Sequence, residues 1–323
     1  METKLAPYLE LEDYRAPKGI NPIFMHMEDN IKIRIIYWKN TKLNEKNMGT
    51  VLLQQGHNEF IEKYFETIQE LLDRGFNVIC FDWRGQGLSD RMIKDTSKQY
   101  IEDFKIHCDD LNYIIDNFIL KNFPRPLIGI GHSMGGCILL SYLKEFGKKF
   151  DKVILSAPML GFRNEKILFP LINIVNLLLP KDNFLIGSKP NMGKETPFKQ
   201  NDLTTDKDRY HRTQKLVRKN KNIRLWWVTN AWGMAVKKTL SEIRQVNWAE
   251  SIENDILFIN SLNDKVVFPY EIEKMHKRLK NSKIINFTSC EHEILMEKDK
   301  YRDRFWRCFD DFLNELPLKR ITT

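Results

Sequence analysis

Short apolar runs, each too brief for a helix, recur along this chain and are separated by segments of helical period. Residues 50–53 (TVLL), 77–81 (NVICF), 127–130 (LIGI), 153–155 (VIL), 256–259 (ILFI) and 284–287 (IINF) are dominated by consecutive apolar positions. A strand that is apolar on both faces must be covered on both faces. Between these runs the pattern predicts helices over 60–74, closed by Gly75, and over 101–119, 134–146, 270–279 and 301–316. Such alternation specifies an α/β fold: a mostly parallel central sheet with helices on both faces. Residues 31–38 alternate well enough for one more strand, and no element is read in the first 30 residues, where short apolar groups are broken by charge.

The rhythm stops near Pro158 and resumes at Ile256. Residues 159–248 hold no short strand run. They carry an apolar stretch at 167–179 (ILFPLINIVNLLL), a Gly/Pro/Asn-rich loop at 187–197, and helical segments. The chain therefore reads as a core domain, residues 1–158 and 249–323, with a helical cap inserted at 159–248. The apolar stretch is too short to span a bilayer. It suits packing onto the core, a wall for an acyl chain, or a lid that dips into a membrane. Trp226, Trp227 and Trp232, near Met234, suit an apolar pocket.

Composition removes other classes. Of 323 residues, 42% are apolar, enough for a large core, and 15 Gly with 12 Pro exclude collagen-like and low-complexity chains. The five cysteines are spaced singly with no C-x-x-C pair, which argues against a disulfide framework or a zinc site. The first residues show no basic segment followed by an apolar one, so a cytoplasmic protein is expected. The net charge of +8 is spread along the chain, and its densest stretch, 207–221, is mixed with Asp208 and apolar positions. That stretch reads as a solvated helix face, and no nucleic-acid partner is expected.

Gly131-His132-Ser133-Met134-Gly135 lies where the run 127–130 meets the helix 134–146. A nucleophile on a strand-to-helix turn sits on strained backbone and needs small neighbours. Gly131, Gly135 and Gly136 supply that room, and the helix presents its positive end to a developing oxyanion. A serine also needs a base, and the base an orienting carboxylate, in chain order serine, acid, histidine. Asp264 follows the run 256–259 and His292 the run 284–287, at the carboxyl ends where sites of open α/β sheets gather. Asp255 precedes its strand and lies at the wrong end. Of the other histidines, His26 and His276 read as surface or strand-end residues, His107 as helical and His211 as part of the cap. His132 reads as packed under the turn. Glu291 and Glu293 read as solvated flanks of the base. The oxyanion hole needs two backbone N–H groups, assigned to Met134 and, in the loop after the run 50–53, to His57 beside Gly56.

These segments resemble α/β-hydrolase-fold serine hydrolases of the monoacylglycerol lipase and lysophospholipase group. The likeness rests on Gly56 with Asn58-Glu59-Phe60, Asp82-Trp83-Arg84-Gly85-Gln86-Gly87-Leu88-Ser89, the glycine-rich turn from Gly131 to Gly136, Ser156-Ala157-Pro158, Asp264-Lys265-Val266-Val267 and Glu291-His292-Glu293. The resemblance implies a cap after the sixth strand and a triad of Ser133, Asp264 and His292. Gln55-Gly56 departs from the His-Gly common in that group, which bears on loop shape and leaving-group selectivity. Arg84 is expected to brace loops near the site, with Gly85 and Gly87 in tight turns. The expected activity is hydrolysis of lysophospholipids or monoacylglycerols through an acyl-enzyme, with no metal or organic cofactor. The expected partners are a lipidic ester and, through the cap and basic surface, a membrane at its periphery. A short-chain carboxylesterase or an acyltransferase would use the same triad, and a non-catalytic binding protein could share the scaffold. Haloalkane dehalogenases and epoxide hydrolases need a carboxylate where Ser133 stands.

Overall fold

The computed structural model describes residues 5–40, 47–185 and 195–315. The first eight residues of the expected 187–197 loop, part of the connection after residue 40, and residue 316 of the last expected helix lie outside the described residues. Eight strands form the main sheet: β1 Ile20–His26, β2 Lys32–Trp38, β3 Thr50–Gln54, β4 Asn77–Phe81, β5 Leu127–His132, β6 Lys152–Ser156, β7 Ile256–Ser261 and β8 Ser282–Phe287. Their order is β1-β2-β4-β3-β5-β6-β7-β8. β2 pairs antiparallel with both β1 and β4; the other pairings are parallel.

Consecutive apolar residues serve two cores because side chains alternate across a strand. Leu52, Ile79, Phe81, Val153 and Leu155 face one core, with helices Phe104–Ile114, Ser133–Phe146 and Pro269–Arg278 laid over it. Val51, Leu53, Val78, Cys80 and Ile154 face the other, under helices Phe65–Asp73 and Asp299–Asn314. Each fully buried aliphatic chain contributes about 1.5–3 kcal/mol of transfer free energy. Two-sided burial is therefore what the unbroken runs of β3 to β7 encode, whereas β8, at the sheet edge, is only partly covered, with Phe287 alone buried.

β1 was not expected. It reads INPIFMH, with a proline inside and only Pro22 and Met25 buried, so it carries no period of two. It forms because β2 offers a partner along its full length, Ile20 opposite Trp38 through His26 opposite Lys32. As an edge strand it tolerates Pro22.

After β6 the chain enters helices Glu165–Leu178, Lys207–Lys219 and Asn230–Ile243. This segment was expected to lack strands. Yet Trp227–Val228 pairs in parallel with Lys98–Gln99, the residues before helix Phe104–Ile114. Helix Lys207–Lys219 is also less free than a solvated face, since Tyr210, Leu216 and Val217 are buried and Arg209 bonds Glu66 and Asp299. On Glu165–Leu178, Ile172 and Val175 turn inward, while Ile167, Leu171, Ile174, Leu177 and Leu178 are exposed.

Candidate active site

β5 delivers His132 and Ser133 into the first turn of helix Ser133–Phe146. Ser133 adopts φ +50°, a conformation rare for a non-glycine residue and costly unless the surroundings enforce it. Two glycines allow the loop after β3 to close over this turn. A Cβ on Gly135 would stand 2.5 Å from the Gln55 carbonyl oxygen, and a Cβ on Gly56 would stand 3.0 Å from the Ser133 Cβ. The backbone of 55–57 thus lies against the nucleophile turn. Met134 follows Ser133 at the helix N-terminus, where the first N–H groups have no partner within the helix.

Asp264 leaves the carboxyl end of β7 and is 1% exposed. Its Oδ1 accepts from the N–H groups of Val266 (2.7 Å) and Val267 (2.9 Å). These bonds turn Oδ2 toward His292, whose Nδ1 lies 2.6 Å away. His292 leaves the carboxyl end of β8, and its Nε2 lies 2.9 Å from Ser133 Oγ. A carboxylate accepts only, so Nδ1 carries the proton and Nε2 faces the hydroxyl with a lone pair. Ser133, His292 and Asp264 come together although 131 and 28 residues separate them along the chain. Asp255 stands before β7, at the other end of the strand.

Glu293, read as solvated, is instead buried, and this corrects that expectation. The physical reason is Lys63, whose Nζ lies 2.6 Å from Glu293 Oε1 and also bonds Glu59. Glu59 further accepts from the Gly56 N–H and, at 2.9 Å, from the Tyr64 hydroxyl. Burial pushes the Glu59 carboxyl up, but Lys63 and His132 overcome it and bring its pKa to about 2. For Glu293 burial wins over Lys63 and the pKa is raised. Glu291 is the more open flank, and its Oε1 bonds Lys265 at 3.1 Å. This cluster is almost silent in the sequence. Its one signal was Glu59 and Lys63 at i, i+4 inside an apolar frame (EFIEKYF).

Glu59, His132 and Glu293 offer three ligand atoms within 4.8 Å of one another, the geometry of a candidate metal group. The Lys63 ammonium already supplies the positive charge between the two carboxylates, and His132 Nδ1 is engaged with the Ser156 carbonyl oxygen at 3.1 Å. Both carboxylates are thus engaged from within the chain.

His132 packs under the turn as read, and burial lowers its pKa to about 4. His57 packs against Trp232 with ring centroids 4.7 Å apart, and burial brings it also to about 4. Gln55 Nε2 donates to Asp82 at 3.1 Å, so the departure from His-Gly is absorbed by a bond behind the loop. Arg84 ties Asp29, in the β1–β2 turn, to Asp110 on helix Phe104–Ile114. The loop beside Ser133 is also braced by Asn58, whose side chain bonds the Leu225 N–H and carbonyl oxygen at 2.7 and 2.9 Å.

A cleft of about 220 Å³ opens over Ser133 and His292, with Gly56, Leu203, Val217 and Arg224 in its walls. A smaller hollow of about 100 Å³ continues from His57 and Asn58 toward Trp226 and Trp227.

A sheet of this order, carrying a serine on the turn after β5 and a run of helices between β6 and β7, defines a serine hydrolase of the α/β-hydrolase fold. The chain belongs to the family described as serine aminopeptidase, S33, which matches residues 45–299. It is similar to the probable lysophospholipase L2 of Haemophilus influenzae, 27% identical over 270 residues, covering 82% of this chain and 83% of that protein. Lysophospholipase L2 of Escherichia coli strain K12 is 26% identical over 300 residues, 88% of this chain and 85% of the other. In fold, it matches a soluble variant of monoglyceride lipase from Saccharomyces cerevisiae solved with a substrate analog. That structure has a TM-score of 0.73 and 17% identity, covering 94% of this chain and 99% of that one.

Proposed function

We propose that this enzyme hydrolyses single-chain lipid esters, lysophospholipids or monoacylglycerols, with Ser133 as nucleophile, His292 as base and Asp264 as its orienting acid. The observation that carries the reading is His292 bridging Ser133 Oγ and Asp264 Oδ2 at 2.9 and 2.6 Å. Its substrate class is supported by the lysophospholipases of similar sequence.

Ser133 Oγ attacks the ester carbonyl while His292 Nε2 takes the hydroxyl proton. Asp264 stabilises the imidazolium through Nδ1–H. The backbone N–H groups of Met134 and His57 hold the oxyanion of the tetrahedral intermediate. Collapse of that intermediate breaks the bond to the alkoxy oxygen, which leaves as the alcohol with the proton from His292. Water then attacks the acyl-Ser133 ester, giving its proton to His292, and a second collapse releases the fatty acid and restores Ser133. Every step uses groups of the chain and water.

The cap is the region 159–248, and its exposed apolar face meets lipid. Ile167, Leu171, Ile174 and Leu178 follow a spacing of four, three and four, which places them on one side of helix Glu165–Leu178. Their exposure, 76% at Ile167 and 75% at Leu178, favours a lipid surface over an acyl wall inside the protein.

The test is a panel of lysophospholipids, monoacylglycerols and p-nitrophenyl esters of acetyl to palmitoyl length, run on wild type and on Ser133→Ala. Expected are kcat/KM values that climb with acyl length, and a loss of at least about a thousandfold in the variant. Wild-type turnover retained by Ser133→Ala defeats the nucleophile assignment. Acetate as the best acyl group defeats the lipid reading in favour of a short-chain carboxylesterase.

A further inference from the structure

The cleft over Ser133 contains a cation that, among the described residues, is bonded to no carboxylate. Among the described residues lining it, the Lys and Arg side chains are Lys63 and Arg224. Lys63 is neutralised between Glu59 and Glu293. Among the described residues, no carboxylate stands within ion-pair distance of Arg224. Its guanidinium donates from Nη1 to the neutral Gln214 Oε1 at 3.2 Å and lies over the Trp226 ring at 5.3 Å. Burial lowers its pKa, and the charges of Tyr210, Glu293 and Glu195, none of them bonded to it, only partly oppose that.

Arg224 is also held in place. It follows a short helical turn, Lys221–Ile223, and precedes Leu225, whose N–H and carbonyl oxygen are both bonded by the Asn58 side chain. Asn58 belongs to the same loop as His57. The next residue, Trp226, donates its N–H to the Ser97 carbonyl oxygen at 2.8 Å. A cap segment pinned on both sides therefore sets Arg224 at a fixed place, in the walls of both the 220 Å³ cleft and the 100 Å³ hollow.

We propose that Arg224 is a specificity-determining residue that binds the phosphodiester anion of a lysophospholipid while its acyl ester lies at Ser133. This rests on the lipid-ester reading above and narrows it to the phosphate-bearing class. In a lysophospholipid the glycerol unit separates the scissile ester from the phosphodiester, so the anion lies away from the nucleophile and toward the wall. A guanidinium offers paired N–H donors to two phosphate oxygens, and a charge-assisted bond in a partly desolvated cleft is among the stronger polar contacts. A monoacylglycerol presents neutral hydroxyls there and leaves the guanidinium without an anion. Lys63 does not serve in its place, because its charge is already held between two carboxylates.

The experiment compares lysophosphatidylcholine and monoacylglycerol with the same medium-length acyl chain, both kept below their micelle concentrations. Attraction to a charged interface then plays no part. The readout is the ratio of kcat/KM for the two substrates in wild type, Arg224→Gln and Arg224→Lys. Arg224→Gln is expected to lower the ratio about ten- to a hundredfold, chiefly through KM of the lysophospholipid, with Arg224→Lys between the two. A merely structural Arg224 lowers both substrates together, so a ratio that changes less than fivefold overturns the proposal. A second arm adds glycerophosphocholine as competitor. Inhibition that weakens at least fivefold in Arg224→Gln supports a phosphodiester site in the cleft, and equal inhibition of both proteins overturns it. If wild type hydrolyses neither lipid, the parent reading has failed; a fall of both lipids with an unchanged ratio leaves that reading standing and removes this one.

Discussion

The protein places several ionisable groups where only one protonation state is tolerable, and the histidines show this most clearly. His107 is fully buried on helix Phe104–Ile114 between Trp83 and Phe104, at centroid distances of 5.2 and 5.7 Å. Among the described residues neither of its ring nitrogens has a hydrogen-bond partner. Burial first, and then Arg84, lowers its pKa to about 3, against 6.5 in an open chain. The unfolded chain thus binds a proton at His107 below about pH 6.5, while the folded chain does not until about pH 3. Stability from this residue is complete above pH 6.5 and falls as pH drops toward 3, by about 1.4 kcal/mol per pH unit. His107→Leu removes that dependence and an unsatisfied polar group together. Relative to wild type, the variant should gain about 2 kcal/mol between pH 7 and pH 5, read from urea unfolding at the two values. An equal wild-type-to-variant difference at both would show that His107 is charged or solvated in the folded protein. His57 and His132, also lowered to about 4, add to the same acid sensitivity.

Elements were legible where one kind of burial dominated. β3, β4, β5, β6 and β7 could be read because both faces are covered and nearly every position is apolar. The places of Ser133 and Asp264 could be read because each stands just past the carboxyl end of such a run, and that of His292 because it follows the apolar run of the edge strand β8. β1 could not, since pairing with β2 rather than its own pattern makes it a strand. Nor could Trp227–Val228, two residues whose strand character comes from Lys98–Gln99. Glu293 was misread because its partner Lys63 lies 230 residues away in the chain. The stretch 167–179 was legible as apolar, but its direction was not, because a helix greasy all round does not reveal which side meets the core. The structure leaves Leu177 83% and Leu178 75% exposed. The double variant Leu177→Asp/Leu178→Asp should therefore unfold within about 0.5 kcal/mol per site of wild type. Each residue entering lipid contributes about 1.5–3 kcal/mol, so sedimentation with phospholipid vesicles should fall at least about tenfold. Undiminished vesicle binding by a fully folded variant would mean that this face does not meet lipid.

At the scale of the whole molecule, the proposed cap, residues 159–248, is tied to the rest of the chain at points distributed around the site. Arg209 reaches Glu66 and Asp299 at 2.9 and 2.7 Å and the Glu297 carbonyl oxygen at 2.9 Å. The Glu293 N–H donates to the Leu203 carbonyl oxygen at 2.7 Å, beside His292. Thr204 Oγ1 donates to the Met296 carbonyl oxygen at 2.7 Å, and Thr229 Oγ1 to that of Gln99 at 2.6 Å. Lys181 pairs with Glu102 at 2.8 Å, and Lys238 pairs with Asp103. The apolar core is shared as well, because Trp232, Val236, Leu240 and Ile243 of the cap join Phe104 and Met134 in one cluster. A cap hinged freely on its core would melt separately, whereas these shared contacts couple the two. Calorimetry should therefore show one transition, with the calorimetric enthalpy equal to the van't Hoff enthalpy. Arg209→Met should lower its midpoint by a few degrees, consistent with about 2 kcal/mol for a partly buried pair whose acid, Glu66, keeps Arg212. The unfolding should remain a single event in that variant. A first transition that Arg209→Met moves, with a second that it leaves in place, would show the cap and core to be separately folding units.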